Sequence, residues 1–256
     1  MGYPAVVNLS LPKTGSTTIY SYFQQVGACH EGLHEKTVDW IIDYYEGSVS
    51  LDELKRLIAR RQQYLKTNLD SSTFLHLIAA EIIDIYPEST LYITILRHPV
   101  EWAKSYLGML YQFGQEIQQG SSPYDPGWAS RYGDFQAKGL DPVRLYESIE
   151  DREFLQDVIQ ELLQFWIDSE LRIFDSVPSK QLAVFRLENL GEAIKAISKI
   201  YDSHLSLNSP PQKFNQATVD TGVKGLISRV FEESICRPLI DRSLRLYGEL
   251  CCKEAC

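Results

Sequence analysis

The sequence predicts an α/β fold, a three-layer sandwich with a central, mostly parallel sheet. Short β-branched runs alternate along the chain with amphipathic helical stretches, the pattern of βαβ units. The strongest run, Thr90 to Leu96 (TLYITIL), is continuously apolar, as a strand covered on both faces must be. With 256 residues, 44% of them apolar and 11% aromatic, the chain can bury one large core. In such a sheet, ligands are expected at the carboxyl ends of the strands.

The elements follow in order. Ala5 to Leu11 is apolar and β-branched and ends at Pro12; Ile19, Tyr22, Phe23 and Val26 then recur at helical spacing. Gly27 to His30 reads as a short extended piece, followed by an aromatic-rich stretch with Val38, Trp40, Ile41, Tyr44 and Tyr45. Ser50 and Glu53 form a capping box that opens a helix carrying Leu54, Leu57 and Ile58. Tyr64 to Asn68 is a further strand candidate, and a helix from Phe74 to Tyr86 stops at Pro87. After TLYITIL, the Arg97-His98-Pro99 turn opens a helix with Trp102, Tyr106, Leu110 and Phe113. Between Gln112 and Asp141, glycines and prolines gather among Tyr124, Trp128, Tyr132 and Phe135, an excursion from the core. Asp141-Pro142 starts a long helix through Phe154, Val158, Leu162 and Trp166, and Gln181 to Leu187 is the last strand candidate. The rest is helical apart from a polar stretch, Leu205 to Gly222, and residues 1–256 read as a single domain without internal repeats.

Charge narrows the function classes. Lys and Arg total 25 against 34 Asp and Glu, a net charge of −9, which argues against nucleic acid as a partner. No apolar run approaches the roughly 18 residues of a membrane span, and MGYPAVVNLSLP lacks the basic region and cleavage site of a signal peptide. A cytoplasmic protein with reduced thiols is expected. The five cysteines (Cys29, Cys236, Cys251, Cys252 and Cys256) are an odd set with no second Cys or His cluster, so no metal site is predicted.

The most informative segment is Leu9 to Thr18, LSLPKTGSTT. A turn from a buried strand into a helix presents backbone N–H groups and the positive end of a helix dipole, together an anion site. Lys13 supplies a point charge, Thr14, Ser16, Thr17 and Thr18 supply hydroxyls, and Gly15 admits the backbone to the anion. It is not a Walker A loop: Ser10 stands where the first glycine belongs, Ser16 where the lysine belongs, and the only lysine precedes the glycine. A second anion site follows the best strand. Arg97 leaves its end and Ser105 comes two helical turns later, a guanidinium and a hydroxyl able to clamp another phosphate.

These residues resemble the sulfotransferases that use 3′-phosphoadenosine 5′-phosphosulfate (PAPS). PKTGSTT is similar to their 5′-phosphosulfate loop, in which lysine precedes glycine. ILRHPVEWAKSYL is similar to their 3′-phosphate motif, with His98 where Asp or Asn is common. VFRLENL resembles the strand of the family ending in a Tyr-Glu-Asp-Leu-like sequence, and Asp241 to Tyr247 a helix that commonly closes these domains. The resemblance spans nearly the whole chain. It implies the P-loop-like sulfotransferase fold and transfer of a sulfuryl group from PAPS to a hydroxyl or amine of a small-molecule acceptor. It further implies release of adenosine 3′,5′-bisphosphate (PAP) without a metal. The start LSLPKTG is similar in its directness to microbial sulfotransferases that tailor secondary metabolites, such as those of saxitoxin biosynthesis.

In this reading Lys13 stabilises charge on the leaving bisphosphate. Lys13, Thr14, Gly15, Ser16, Thr17 and Thr18 hold the 5′ end, and Arg97 and Ser105 hold the 3′-phosphate. Lys213 and Lys224 lie where relatives carry a loop that folds over the nucleotide. A base must also accept the proton of the acceptor. Glu31 and His30 follow the second extended piece, where strand ends face the ligand. Cytosolic relatives place a His in a Lys-Thr-His-Leu segment; here Lys66-Thr67-Asn68-Leu69 has Asn68, which cannot act as a base, and Asp70 follows. Glu31 or His30 is therefore the expected base, with Asp70 behind them. The excursion would form a lid and acceptor pocket whose aromatic walls suit a ring-bearing or cationic acceptor. Two rival readings remain open, a P-loop nucleotide kinase with a degenerate loop and an inactive nucleotide-binding module of the same fold.

Overall fold

A computed structural model of the chain describes residues 3–136, 140–201, 221–232 and 236–253. Five strands, β1 (Val6–Asn8), β2 (Ala28–Cys29), β3 (Leu69–Asp70), β4 (Leu91–Leu96) and β5 (Leu182–Arg186), form one sheet in the order β2-β3-β1-β4-β5. Every pairing is parallel, with Val7 opposite both Asp70 and Tyr92, and Thr94 opposite Val184. All five strands therefore end on one edge. Connections leave β1 toward β2 and β4 toward β5, in opposite directions, so the topological switch point lies between the ends of β1 and β4.

Side chains alternate across this sheet as the pleat demands. Val6, Leu69, Ile93, Ile95 and Phe185 face helices α1 (Ser16–Phe23) and α9 (Leu190–Ile200), which contribute Ile19, Phe23, Ala193, Ile194 and Ile197 to the same core cluster. The opposite face carries Asp70, which meets Arg61 and Gln62 of α3 (Leu51–Leu65). Helices thus cover both faces, and the predicted α/β sandwich with a parallel sheet is the observed fold. Helix α2 (His34–Tyr45) precedes α3, and Ser50 caps α3 by accepting from Glu53 N–H at 3.2 Å. The stretch after β3 is not one helix. It comprises a 3-10 turn (Thr73–Ile78), the short α4 (Ala79–Ile82) and a second 3-10 turn (Ile83–Ile85).

The chain divides into two compact units. The first holds the sheet and comprises residues 1–97, 169–215 and 250–256; the second comprises residues 98–168 and 216–249. The second is helical among its described residues, with α5 (Pro99–Gln118), α6 (Pro126–Gln136), α7 (Pro142–Glu147) and α10 (Thr221–Phe231), and it contains most of α8 (Arg152–Ser176) and α11 (Arg237–Cys251).

Three further elements differ from the sequence reading. The strand expected at Tyr64 to Asn68 begins at Leu69, because α3 runs on to Leu65 and ends through a left-handed Lys66 at φ 49°. The excursion expected from Gln112 begins after Gln118, since Gly114 continues α5: a Cβ there would lie 1.9 Å from the Pro142 carbonyl oxygen. That glycine permits close packing of α5 on the start of the next helix, α7 (Pro142–Glu147), rather than breaking α5. The long helix expected from Asp141 is two helices, α7 and α8. Asp141 does cap α7, accepting from Val143 and Arg144 N–H at 2.7 and 3.0 Å.

Candidate active site

The turn from β1 into α1 is built by side chains turned back on the backbone. Asn8 Oδ1 accepts from Ser10 N–H at 3.0 Å, and Ser10 Oγ accepts from Ile95 N–H at 2.8 Å, which fastens the loop to β4. Thr14 Oγ1 donates to Leu11 O at 2.5 Å, so this hydroxyl shapes the loop from within. Lys13 and Gly15 both adopt left-handed conformations, φ 66° and 101°. At Gly15 the conformation excludes other residues, and a Cβ would also crowd Leu187 Cδ1 and Leu190 Cδ2 at 3.2 Å. Gly15 is the N-cap of α1 and no side chain caps the helix. The amides of Ser16, Thr17 and Thr18 open a helix with neither a side-chain cap nor an acidic residue in its first turn, an arrangement suited to an anion.

Arg97, at the end of β4, donates from Nη1 to Lys13 O at 2.8 Å. The Arg97 guanidinium therefore spans the switch point to the backbone of Lys13, the other residue predicted to serve the nucleotide. Burial, followed by the nearby Arg97 charge, lowers the Lys13 ammonium below its ordinary pKa. A bound anion would relieve both effects. Ser105 stands on the second turn of α5 and Lys224 is exposed on α10, both in the second unit. Lys213 and most of the polar stretch after Leu205 lie outside the described residues.

The ends of β2 and β3 bring in the candidate bases. His30 Nε2 lies 3.3 Å from Ser16 Oγ and 3.4 Å from Thr17 Oγ1, directly against the first turn of α1. Its ring packs on Tyr20 with 5.6 Å between centroids. Burial lowers the imidazole pKa below 6.5, against an opposing pull from Glu31, so His30 is neutral at pH 7 and able to take a proton. Glu31 Oε1 sits 3.9 Å from the same Nε2. Burial raises the Glu31 pKa, partly offset by His30 and by hydrogen bonds from Thr73.

Asp70 is different in kind. It is fully buried, accepts from both terminal nitrogens of Arg61, from Gln62 Nε2 at 2.7 Å and from Ser72 Oγ at 2.6 Å. Burial opposes its charge, but the Arg61 guanidinium and these donors hold the carboxyl below its ordinary value. The expectation of Asp70 as a reserve base is corrected: its lone pairs are occupied inside the protein. Arg61 escaped the sequence reading, although Leu54, Ile58, Arg61 and Gln62 form one buried stripe of α3. A charged residue in register with an apolar stripe is the signal that would have found it.

In the second unit, α5 and the excursion after it together contribute a row of aromatic rings. Phe113, Tyr124, Trp128 and Tyr132 succeed one another with centroid separations of 5.2, 5.4 and 5.3 Å. No group of His, Cys, Asp and Glu able to hold a metal occurs among the described residues, and none of the described helices is long and apolar enough to cross a membrane.

No protein-family profile and no curated protein matches the chain. Among solved structures, the chain is similar to the crystal structure of a sulfotransferase from Alicyclobacillus acidocaldarius, at 12% identity and a TM-score of 0.48, over 97% of this chain and 100% of that one.

Proposed function

We propose that this protein transfers a sulfuryl group from PAPS to a hydroxyl or amine of a small-molecule acceptor. The observation that carries the reading is the convergence at the switch point. An uncapped helix N-terminus, Lys13 and Arg97 meet there, with His30 against the hydroxyls of the same helix turn. In this reading the amides and hydroxyls from Gly15 to Thr18 serve the 5′ end of a bisphosphorylated nucleotide together with Lys13, and Arg97 serves its 3′-phosphate. PAPS supplies the activated sulfuryl group. The chain supplies alignment, charge and a base.

Lys13 is assigned to the charge that grows on the leaving group, a role suited to an ammonium in a partly desolvated loop. His30 Nε2 is assigned to the acceptor proton, being neutral and pressed against the anion site. Glu31 Oε1, 3.9 Å from that same nitrogen, lies beside it to stabilise the imidazolium that forms. This ordering favours His30 over Glu31 as the proton acceptor, because Glu31 Oε1 is already engaged by Thr73 and Oε2 is buried. The aromatic row is assigned to a small ring-bearing or cationic acceptor.

Calorimetric titration with PAP, beside ATP with magnesium, tests the reading. Micromolar PAP binding that is lost in Arg97→Ala is the expected result. Binding of ATP–magnesium alone overturns the reading in favour of a kinase, and PAP binding without turnover on any acceptor leaves an inactive nucleotide-binding module. Lys13→Ala should suppress turnover by roughly 10²-fold or more while weakening PAP less than Arg97→Ala does.

A further inference from the structure

The Glu31 carboxylate stands between two imidazoles. Oε1 is 3.9 Å from His30 Nε2, and Oε2 is 3.9 Å from His34 Nε2. Both contacts are longer than hydrogen bonds, so neither histidine fixes the carboxylate. Thr73 does. Its N–H and hydroxyl both donate to Oε1, at 3.1 and 2.6 Å, whereas Oε2 is buried without a hydrogen-bond partner.

The surrounding backbone is held in the same way, from outside. Glu31 and Leu33 have φ of 54° and 55°, a conformation that is disfavoured for residues with a Cβ and persists only where neighbours enforce it. Arg61 enforces it, donating from Nε to Gly32 O at 3.0 Å and from Nη2 to Ser72 Oγ at 2.7 Å. One buried guanidinium thus ties the residue after Glu31 to the residue before Thr73. His76 Nδ1 meets Thr73 O, which anchors the threonine in turn.

We propose that Thr73 is a positioning residue for the reaction, selecting the Glu31 oxygen that faces His30 and thereby keeping the carboxylate charge beside the Nε2 that takes the proton. The catalytic part of this inference rests on the reading of His30 as base; the geometric part does not. Other charged or titratable groups around the pair are His34, Asp70, Arg61 and Cys29, with the Tyr20 ring against His30. Among the described residues, Thr73 alone hydrogen-bonds the Glu31 carboxylate.

Histidine ring titration by NMR on the full chain, read beside the pH profile of kcat, tests the proposal. Thr73→Val removes the hydroxyl and keeps the shape. Deprived of a donor, Glu31 holds its charge less well, and the His30 midpoint moves down in pH toward its value in Glu31→Gln. In the Glu31→Gln background, Thr73→Val should add nothing, and Thr73→Ser should restore the parent midpoint. Turnover should fall about tenfold in Thr73→Val, a fraction of what a general base contributes, with the PAP affinity unchanged within about twofold. An unmoved His30 midpoint in a folded Thr73→Val, or a shift that persists without Glu31, overturns the proposal. Absence of PAP binding and turnover in the parent protein overturns the functional reading instead, and the NMR arm still decides the placement of Glu31 by Thr73.

Discussion

At the scale of residues, two fully buried carboxylates acquire opposite properties from their partners. Asp70 has four donors on its two oxygens and stays charged; Glu170 of α8 is fully buried with neither oxygen hydrogen-bonded, and burial pushes its pKa up to about 8. Removal of the Asp70 carboxylate in Asp70→Ala strands the Arg61 guanidinium and should cost roughly 3–5 kcal/mol in urea unfolding. Glu170 behaves in the other direction. Below pH 4.5 it is protonated in both folded and unfolded chains; as pH rises toward 8 only the unfolded chain ionises, and stability is lost. Glu170→Leu should therefore flatten the fall of the thermal midpoint between pH 5 and pH 8, and a variant that keeps the parent slope contradicts this assignment. The pH profile of turnover gives a parallel check on His30. Its acid limb should lie below pH 6.5 and move lower still in Glu31→Gln, since the Glu31 charge holds the imidazole pKa up. The loop residues Lys13 to Thr18 and the His30-Glu31 pair were legible because chemistry-bearing types stood at strand ends. The partners that sort Glu31 from Asp70 were not, since Thr73 and Arg61 lie 42 and 9 residues away along the chain.

At the scale of elements, β4 and the β1-to-α1 turn are visible in the sequence because pattern and packing agree there. TLYITIL supplies both faces of a central strand, and PKTG supplies a turn with its one obligatory glycine. β3 was misplaced by a few residues because half of it is Asp70, a residue that propensity excludes from a strand and that Arg61 makes tolerable there. The glycines after Gln112 misled for a related reason, since a glycine in a helix can mark a close approach as well as a break. Gly114→Ala tests that reading. The added methyl meets the Pro142 carbonyl and should destabilise the chain by about 1–3 kcal/mol in denaturant unfolding, against a gain of up to about 1 kcal/mol if helix propensity alone acted.

At the scale of the whole molecule, the chain carries a net charge of −9, yet the β1-to-α1 turn brings together Lys13 and Arg97. PAP should therefore raise the thermal midpoint, by the equivalent of about 2.7 kcal/mol at a hundred times its Kd, and less so at higher salt. The sheet order and the interleaving of the two units along the chain were beyond local reading, because strand neighbours such as β1 and β4 are set by crossovers rather than by adjacent sequence. The bridge from Arg97 to the Lys13 carbonyl has an implication for how the two ends of a ligand are sensed. On the proposed reading, the guanidinium that holds the Lys13 carbonyl in the 5′ cradle is also the group assigned to the 3′-phosphate, so the two ends would be read through a shared part. Adenosine 5′-phosphosulfate, which has no 3′-phosphate, should also bind more weakly to Arg97→Ala; a nucleotide missing the group that an arginine contacts would still register the loss of that arginine.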